Sequence, residues 1–329
     1  ASKVLFESRD RRGKGTGMYL GIDLGTSGVK VCLMRPDGTV SETATAPLAT
    51  SHPFDGASEQ DCLSWWDACC TAVQSLPSAL RHQVRAIGLS GQMHGAVLLD
   101  GQGQPVRPVM LWNDARATKE SADMIAAEPE AGEIAGIAPM AGFTAPKLLW
   151  LARHEPKAHA RIAHILLPKD YLGLRLHGRY VTDPTDAAGT SWLDQRTRQW
   201  SEKICAVSAT DPAWLPEIAY GTEVAGELRT DAALALGLPA GIPVAVGGGD
   251  IAAGAVGIGA IGAGDGFISL GTSGQLFVTT PDYRPNTDNL IHAYAHTVPG
   301  LWFQMAAMLN GARPMAWLAN LLGRPIADL

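Results

Sequence analysis

The sequence contains few cysteines, no excess of basic residues and no long apolar run. Its five cysteines are an odd number without a CxxC pair, which argues against a disulfide framework and a zinc site and favours a reducing compartment such as the cytoplasm. The net charge of −6 argues against a nucleic-acid-binding surface. No apolar stretch approaches the roughly 18 residues of a membrane span, so no membrane partner is expected.

Charged residues make up only 18% of the chain, whereas hydrophobic residues make up 46% and glycines number 37. This balance is ordinary for a globular protein with a sizeable core, and 329 residues are enough for roughly two domains. The glycines occur in short patches such as VGGGD and GIGAIGAGDG, which indicates tight turns and close backbone packing. Residues 1–17 are basic, and we interpret them as a leader or an added extension before Met18.

The pentapeptide LGTSG occurs twice, at residues 24–28 and 270–274. This separation far exceeds the period of solenoid repeats, which is about 20–50 residues, so the match is either chance or the sign of two related lobes. Around the first copy, alternating apolar residues predict a strand, a turn at GTSG, a second strand, a PDG turn and a third strand. We therefore expect three antiparallel strands to open the first lobe.

The first copy combines two glycines with two hydroxyls, at Gly25, Thr26, Ser27 and Gly28. Successive amides in such a turn can bind an anion, and a plain hairpin turn is the alternative, since no GxxxxGK[ST] motif is present. Asp23 just before the loop favours the anion site if Mg²⁺ lies between carboxylate and phosphate. Ser269 takes the equivalent place before the second copy. We therefore expect two loops that hold a phosphate chain, of which the first also handles the metal.

Between the copies, two polar loops follow apolar strands, where open α/β sheets place their ligands. In the first loop, Gln92 and His94 are candidate partners of a hydroxyl, although a lone His is more often structural. In the second loop, Trp112 offers an aromatic face that suits a sugar, and an ordinary capped turn is the alternative. Farther along the chain, Asp186 could face a cleft.

Two other patterns are interpreted as structural. Lys169 and Asp170 are expected to cap the start of a helix. Another helix follows a cap at Ser58 or Asp61, and its apolar face is predicted to contain Leu63, Trp66, Cys70 and Val73.

Asp250 follows a predicted strand at Pro243–Val246 and three glycines, and it opens a helix of small apolar residues. An Asp at a helix start is usually an N-cap. The functional alternative is a carboxylate that accepts the proton of an attacking hydroxyl, as phosphoryl transfer requires. The second LGTSG copy follows shortly after, so one lobe could present both the base and a phosphate loop.

Taken in order, these motifs resemble the FGGY family of carbohydrate kinases, and within it the bacterial xylulokinases. The resemblance extends from Met18 almost to the end of the chain through GIDLGTSGVKV, GQMHGAVLLD, LWNDAR, GFTAPKLLWLARHEP, LPKDYLGLRLHG, DAAGTSWLD, GGGDIAAGAVG and SLGTSG. It implies an α/β, actin-like ATPase (ribonuclease H-like) fold with two lobes and ATP in a central cleft. It also implies phosphorylation of a ketopentose, D-xylulose at its 5-hydroxyl, with ATP and Mg²⁺ as cofactors.

By position, the resemblance assigns Mg²⁺ to Asp23 and the catalytic base to Asp250. Together with the polar loops, it gives sugar contacts at Gln92, Met93, His94, Trp112 and Asp250. The phosphate contacts are Gly25, Thr26, Ser27, Gly271, Thr272 and Ser273.

Two features depart from the family pattern. Ile251 stands where the family usually has an amide that contacts a sugar hydroxyl, so a kinase of ribulose, gluconate or glycerol is an alternative. After the leader at 1–17, the first lobe is expected at 18–240 and the second at 241–329, where it looks incomplete. Its strands should expose an apolar face, which favours association, a homodimer being one form of it.

A shortened, non-catalytic protein that binds a sugar or a partner is therefore a rival hypothesis. An actin-type or chaperone-type ATPase ranks last, because it explains the hairpin and leaves GQMHG and LWNDAR unexplained.

Overall fold

The computed structural model describes residues 17–270, 274–308 and 311–328, so residues 1–16 of the predicted leader lie outside it. The strands are β1 (Met18–Leu24), β2 (Gly28–Met34), β3 (Val40–Pro47), β4 (Glu59–Gln60), β5 (Val84–Gly91), β6 (Val97–Leu99), β7 (Val109–Met110), β8 (His164–Leu166), β9 (Val181–Thr182), β10 (Leu193–Asp194), β11 (Gln199–Trp200), β12 (Glu217–Ile218), β13 (Val224–Glu227), β14 (Pro243–Ala245), β15 (Gly248–Gly249), β16 (Gly266–Leu270), β17 (Gly274–Thr280), β18 (His292–Ala295) and β19 (Trp302–Met308). The α-helices are α1 (Cys62–Gln74), α2 (Ser78–Arg81), α3 (Thr118–Ala127), α4 (Ala131–Ala135), α5 (Thr144–His154), α6 (Pro156–His159), α7 (Pro168–His177), α8 (Pro184–Ala187), α9 (Glu202–Val207), α10 (Thr230–Leu236), α11 (Asp250–Ile258) and α12 (Arg313–Leu322). Within these described ranges, no helix is both long and apolar enough to cross a bilayer.

The first sheet is mixed and has the strand order β13-β14-β5-β1-β2-β3, with β15 also paired to β5. Strands β1, β2 and β3 form an antiparallel meander, as the turn signals predict. Strands β1, β14 and β15 run parallel to β5. Gly28 opens β2 where a side chain cannot fit, because a Cβ there would lie 2.6 Å from the carbonyl oxygen of Ala46. The hairpin of β1 and β2 lies inside the sheet, because β5 and β3 flank it.

Helix α1 covers β2 and β3, and its cap is Asp61, whose carboxylate accepts from the backbone N–H of Leu63 at 2.9 Å. The predicted apolar face is wrong in part, because Leu63 is 45% exposed. Trp65 occupies the buried side, where its indole N–H donates to Gln60 Oε1 at 2.9 Å and its ring meets Tyr171 edge to face. These two contacts orient α1 so that Trp65, rather than the predicted Trp66, points into the core.

The main hydrophobic core lies between the first sheet and the helices α1, α7 and α10. Its fully buried side chains include Leu20, Leu24, Leu33, Trp65 and Ile87. Each buried side chain of this size contributes about 1.5–3 kcal/mol by leaving water. This packed layer makes the ends of β1 and β5 a rigid support for the loops that follow them.

The second sheet is antiparallel and has the order β16-β17-β19-β18. One face is buried, where the rings of Phe277 and Phe303 stack with 4.6 Å between centroids beside Tyr294. The opposite face carries Ile268, which is 68% exposed, and Leu276, which is 48% exposed. Of the second LGTSG copy, Leu270 ends β16 and Gly274 begins β17, and residues 271–273 lie outside the described residues.

Strands β14 and β15 pair with β5, so residues 243–249 lie in the first sheet. The boundary expected between residues 240 and 241 remains a prediction. Helix α11 follows β15 directly, and its Ala252 and Ala255 pack in the cluster that includes Phe277. The segment around Asp250 therefore connects the two sheets.

Candidate active site

Three parallel strands bring the two candidate carboxylates to one edge of the first sheet. Asp23 on β1 is in register with Ser90 on β5, and Ser90 is in register with Gly248 on β15. Two strand spacings separate the Cα atoms of Asp23 and Gly248, which is about 10 Å. Asp250 follows at the start of α11, so both carboxylates lie at the carboxyl ends of these strands.

Glycines allow the segment before Asp250 to approach β5 closely. Gly247 has a φ of 84°, and a Cβ there would lie 2.2 Å from the carbonyl oxygen of Leu89. At Gly249, a Cβ would lie 3.1 Å from Met93 Cγ. A side chain at Gly247 would therefore push Asp250 away from the sheet edge.

Asp250 is the first residue of α11, whereas its N-cap is Gly249, so the N-cap interpretation of Asp250 is wrong. Its Oδ1 accepts from the backbone N–H of Ile251 at 2.8 Å. The side chain is open to solvent, yet protein atoms around it remove much of its hydration. This loss of hydration raises the pKa of Asp250 to about 6, helped by the charge of Asp23 and opposed by the hydrogen bond from the Ile251 N–H. The carboxylate is thus ionised near neutrality and able to accept a proton.

The first turn is held by side chains that the sequence analysis assigned to two different ligands. The hydroxyl of Thr26 donates to Gln92 Oε1 at 3.0 Å and accepts from the indole N–H of Trp112 at 2.9 Å. Gln60 Nε2 donates to the carbonyl oxygen of Thr26 at 2.7 Å, and Ser27 is exposed. The structure therefore brings Thr26, Gln92 and Trp112 together.

The two side chains bonded to Thr26, those of Gln92 and Trp112, differ in their exposure to solvent and therefore to a ligand. Gln92 is buried, and its amide also lies 3.4 Å from Gln60 Oε1. Trp112 is 46% exposed, so part of its indole ring remains available to a ligand. A sugar contact at Trp112 and phosphate contacts at Thr26 and Ser27 stay predictions, as does the sugar contact at Gln92.

Met93 and His94 meet around Gly189. A Cβ at Gly189 would lie 2.7 Å from His94 Nδ1 and 3.0 Å from Met93 Cε, so the glycine makes room for both side chains. Met93 also packs against Gly249, which precedes Asp250. The two predicted sugar contacts and the candidate base are therefore neighbours, although their contact with a sugar stays a prediction.

The contacts of His94 define its tautomer. Nδ1 lies 2.6 Å from the carbonyl oxygen of Gly189, which can only accept, so Nδ1 carries the proton. Burial lowers the pKa of His94 to about 3, so the ring is neutral and Nε2 is an acceptor. The ring stacks on Phe143 with 4.4 Å between centroids. His94 can therefore accept a hydrogen bond from a hydroxyl.

Sequence reasoning missed a buried cluster of charged side chains behind this site. Lys169 Nζ forms an ion pair with Asp170 and lies 3.2 Å from Asp183 Oδ1 and 3.8 Å from Asp186 Oδ2. All four side chains are fully buried, so Asp186 does not face an open cleft. The capping interpretation of Lys169 and Asp170 is wrong, because the N-cap of α7 is Leu167 and no side chain caps the helix. Burial raises the pKa of Asp170 and raises that of Asp186 well above its ordinary value.

This cluster supports the backbone that leads to Asp250. Lys169 Nζ donates to the carbonyl oxygen of Val246 at 3.3 Å. Thr185 Oγ1 accepts from the backbone N–H of Gly249 at 2.9 Å and donates to Asp183 Oδ2 at 2.5 Å. Val246 and Gly249 are distant in sequence from Lys169 and Thr185, so these two hydrogen bonds have no local signal in the sequence.

Some predicted ligands cannot be compared with the structure. Gly271, Thr272 and Ser273 lie outside the described residues. In the part of the chain that is described, no group of three or more His, Cys, Asp or Glu side chains could hold a metal ion. A nucleotide-bound Mg²⁺ needs only one or two carboxylates besides phosphates and water, and this donor set is compatible with Asp23.

Comparisons with known proteins identify the class. Residues 18–257 match the sequence profile of the "FGGY family of carbohydrate kinases, N-terminal domain". The chain therefore belongs to the FGGY family of carbohydrate kinases. It is 44% identical to the xylulose kinase of Escherichia coli (strain K12) over 93% of this chain and 63% of that protein. The corresponding values for the Klebsiella pneumoniae xylulose kinase are 43%, 93% and 63%.

Solved structures agree in fold. A xyloylose kinase from Brucella ovis has a TM-score of 0.89 and 42% identity over 94% of this chain and 64% of that one. The xylulose kinase of Rhodospirillum rubrum has a TM-score of 0.89 and 28% identity, covering 93% of this chain and 63% of that one. These neighbours confirm the predicted actin-like α/β class. The chain spans just under two thirds of the length of these relatives.

Proposed function

We propose that the protein is a xylulose kinase, which transfers the γ-phosphoryl group of ATP to the 5-hydroxyl of D-xylulose. The observation that carries the proposal is the position of Asp250, which directly follows Gly249, a neighbour of Met93, and lies across β5 from Asp23. The similar xylulose kinases of Escherichia coli and Klebsiella pneumoniae support the choice of sugar. Because the chain spans about 63% of their length, the activity of this chain is itself part of the proposal.

In the proposed reaction, Asp250 accepts the proton of the 5-hydroxyl as that oxygen attacks the γ-phosphorus. The new O–P bond forms while the bond to the β-phosphate oxygen breaks, and ADP leaves with the electron pair. The raised pKa of Asp250, about 6, suits a base that works near neutrality. General-base help of this kind contributes about 10²–10⁴ in rate.

The remaining groups bind and orient. His94 Nε2 accepts a hydrogen bond from a sugar hydroxyl, and the half-exposed ring of Trp112 covers an apolar face of the sugar. The turn of Gly25, Thr26 and Ser27 faces the phosphates, as would Gly271, Thr272 and Ser273. When bound at Asp23, Mg²⁺ would neutralise charge on the phosphates. A homodimer and a cytoplasmic location remain part of this proposal.

Replacing the base tests the proposal directly. Asp250→Asn is expected to lower the rate of sugar-dependent ADP release by about 10²–10⁴ while the affinity for the sugar, measured by calorimetry, changes little. Asp231→Asn removes an exposed carboxylate that pairs with Arg229, and it should leave both quantities unchanged. Unchanged turnover in the Asp250 variant would contradict the assignment.

The sugar is tested by assaying D-xylulose beside L-xylulose, ribulose, gluconate and glycerol. Ile251 cannot hydrogen-bond through its side chain, so the preferred substrate should tolerate an apolar neighbour at this position. We expect the highest kcat/KM for D-xylulose. A higher kcat/KM for another member of the panel would reassign the substrate and keep the reaction. Failure of the chain to bind either a sugar or ATP would contradict the kinase proposal.

A further inference from the structure

Lys147, on the first turn of α5, is a fully buried amine with an unusual set of partners. Its Nζ donates to the carbonyl oxygen of His94 at 2.8 Å and to that of Met110 at 3.2 Å. Among the described residues, no carboxylate oxygen lies within ion-pair distance of it. Burying an amine without a carboxylate partner costs free energy, so a buried lysine that bonds only to two carbonyl oxygens calls for a functional explanation.

The first partner, His94, has a backbone conformation that a residue with a side chain rarely adopts. Its φ is 69°, in the left-handed region. Its carbonyl oxygen also accepts from Thr144 Oγ1 at 3.2 Å, so two side chains of one helical turn hold the same oxygen. With Nδ1 bonded to Gly189 and the ring stacked on Phe143, both the backbone and the ring of His94 are fixed.

The second partner lies beside another candidate sugar contact. Met110 ends β7, two residues before Trp112, and its carbonyl oxygen also accepts from the backbone N–H of Ala96. Lys147 thus connects the loop that carries His94 with the strand that leads to Trp112. One side chain holds both segments in a fixed relative position.

Two donors are sufficient for this task in either protonation state. Burial lowers the pKa of Lys147 to about 7. A neutral amine still has two N–H groups, which equals the number of carbonyl oxygens it faces. The arrangement therefore depends on donation rather than on charge.

We propose that Lys147 is a positioning residue of the sugar site, which holds His94 so that Nε2 accepts a hydrogen bond from a hydroxyl of the substrate. This inference rests on the proposed function, because the sugar is the ligand of His94. Lys147 itself lies behind His94 and acts through it. A residue that served packing alone could be replaced by an apolar side chain of similar length without changing the ring of His94.

The test replaces Lys147 by Met, which keeps the length and removes the donors. The affinity for D-xylulose should fall about tenfold, since each lost hydrogen bond is worth about that factor or less, while the affinity for Mg-ATP stays the same. Thr144→Val should give a smaller loss in the same direction. Lys119→Met, which removes an exposed lysine paired with Asp123, should change neither affinity.

A second measurement is independent of the reaction. The side-chain nitrogen NMR signals of His94 can be assigned with a His94→Gln variant. The parent protein should show a single Nδ1–H tautomer. Lys147→Met should show a mixture of tautomers, because a His94 backbone that is no longer held lets the ring leave the carbonyl oxygen of Gly189. Unchanged signals and unchanged sugar affinity in a folded Lys147→Met protein would overturn the inference. If that variant does not fold, Lys147→Leu takes its place, and unaltered His94 signals with unaltered sugar affinity there overturn the inference.

These readouts separate the two proposals. If the parent protein binds no sugar, the proposed function fails, whereas the tautomer of His94 still reports on Lys147. If the parent binds D-xylulose and the variants bind it equally well with unaltered His94 signals, only the role of Lys147 is rejected.

Discussion

Each LGTSG copy lies between two antiparallel paired strands, and the two strand pairs have very different surroundings. In the first, Leu24 and Val29 form the last pair before the turn, and both are fully buried beneath α1 and α7. In the second, Leu270 pairs with Gly274, and Leu270 is 67% exposed. The comparison shows that the elements packed against each sheet, rather than the shared pentapeptide, determine which side chains are buried.

The copies also differ in charge. Asp23 precedes the first turn and raises the pKa of Asp250 through its charge, whereas Ser269 takes the equivalent place before the second turn. If the two hairpins hold a phosphate chain from two sides, only the first offers a carboxylate for the metal. Matched variants of the two copies can test this asymmetry of chemistry and burial.

Among changes that distinguish the two copies, the largest effect is expected at the carboxylate of Asp23. Asp23→Asn should lower kcat/KM with Mg-ATP by about 10²–10³, because a fixed group that positions charge at the transferred phosphoryl is removed. Ser269→Ala is the matched change in the other copy and should have little effect. Coupled measurement of ADP release compares them, and equal losses in both variants would contradict the proposed division of roles.

Burial can be tested with a matched pair of leucines. Leu24→Ala should lower the free energy of unfolding by about 2–5 kcal/mol, because the side chain is fully buried and leaves a cavity. Leu270→Ala should change it by no more than about 0.5 kcal/mol, since most of that side chain is already in water. Urea denaturation measures both, and a large loss for Leu270 would mean that another surface covers it in solution.

The pH dependence links the copies through Asp250. Its base form is required, so kcat/KM should rise with pH through about 6 and level off above it. In Asp23→Asn this inflection should move to lower pH, because a neighbouring negative charge is lost. An inflection that does not move would show that the charge of Asp23 does not contribute to the pKa of Asp250.

The same shift affects stability with a defined sign. The pKa of Asp250 is raised on folding from an ordinary value of 3.8, so the folded state holds this proton more tightly than the unfolded chain. The contribution of Asp250 to stability is therefore present at low pH and is lost as pH rises through about 6. Relative to Asp250→Asn, the parent protein should lose stability over this interval.

The sequence predicted features that depend on neighbours in the chain. The meander of β1, β2 and β3 follows from alternation and turn residues, and the structure confirms it. The buried face of α1 is harder to predict from the sequence, because Trp65 and Trp66 are both large and apolar. Only the contact of Trp65 with Gln60 and Tyr171 decides which of them is buried.

The polar framework of the candidate site could not be predicted in this way. Lys147 binds carbonyl oxygens of His94 and Met110, and Lys169 binds that of Val246, which are all distant in sequence. Every residue has a backbone carbonyl group, so the sequence does not indicate which of them a buried lysine will bond. Buried lysines of this kind become recognisable only when the fold shows what their amines face.

The smallest effect concerns the exposed face of the second sheet. Ile268→Thr with Leu276→Thr should reduce self-association at high protein concentration, because two exposed apolar side chains become polar while both stay compatible with a strand. Val40→Thr, at a 54% exposed position of β3 in the first sheet, is the matched control and should leave association unchanged. Sedimentation velocity measures the difference. Equal behaviour of all variants would mean that this face is tolerated as ordinary apolar surface and promotes no contact between copies.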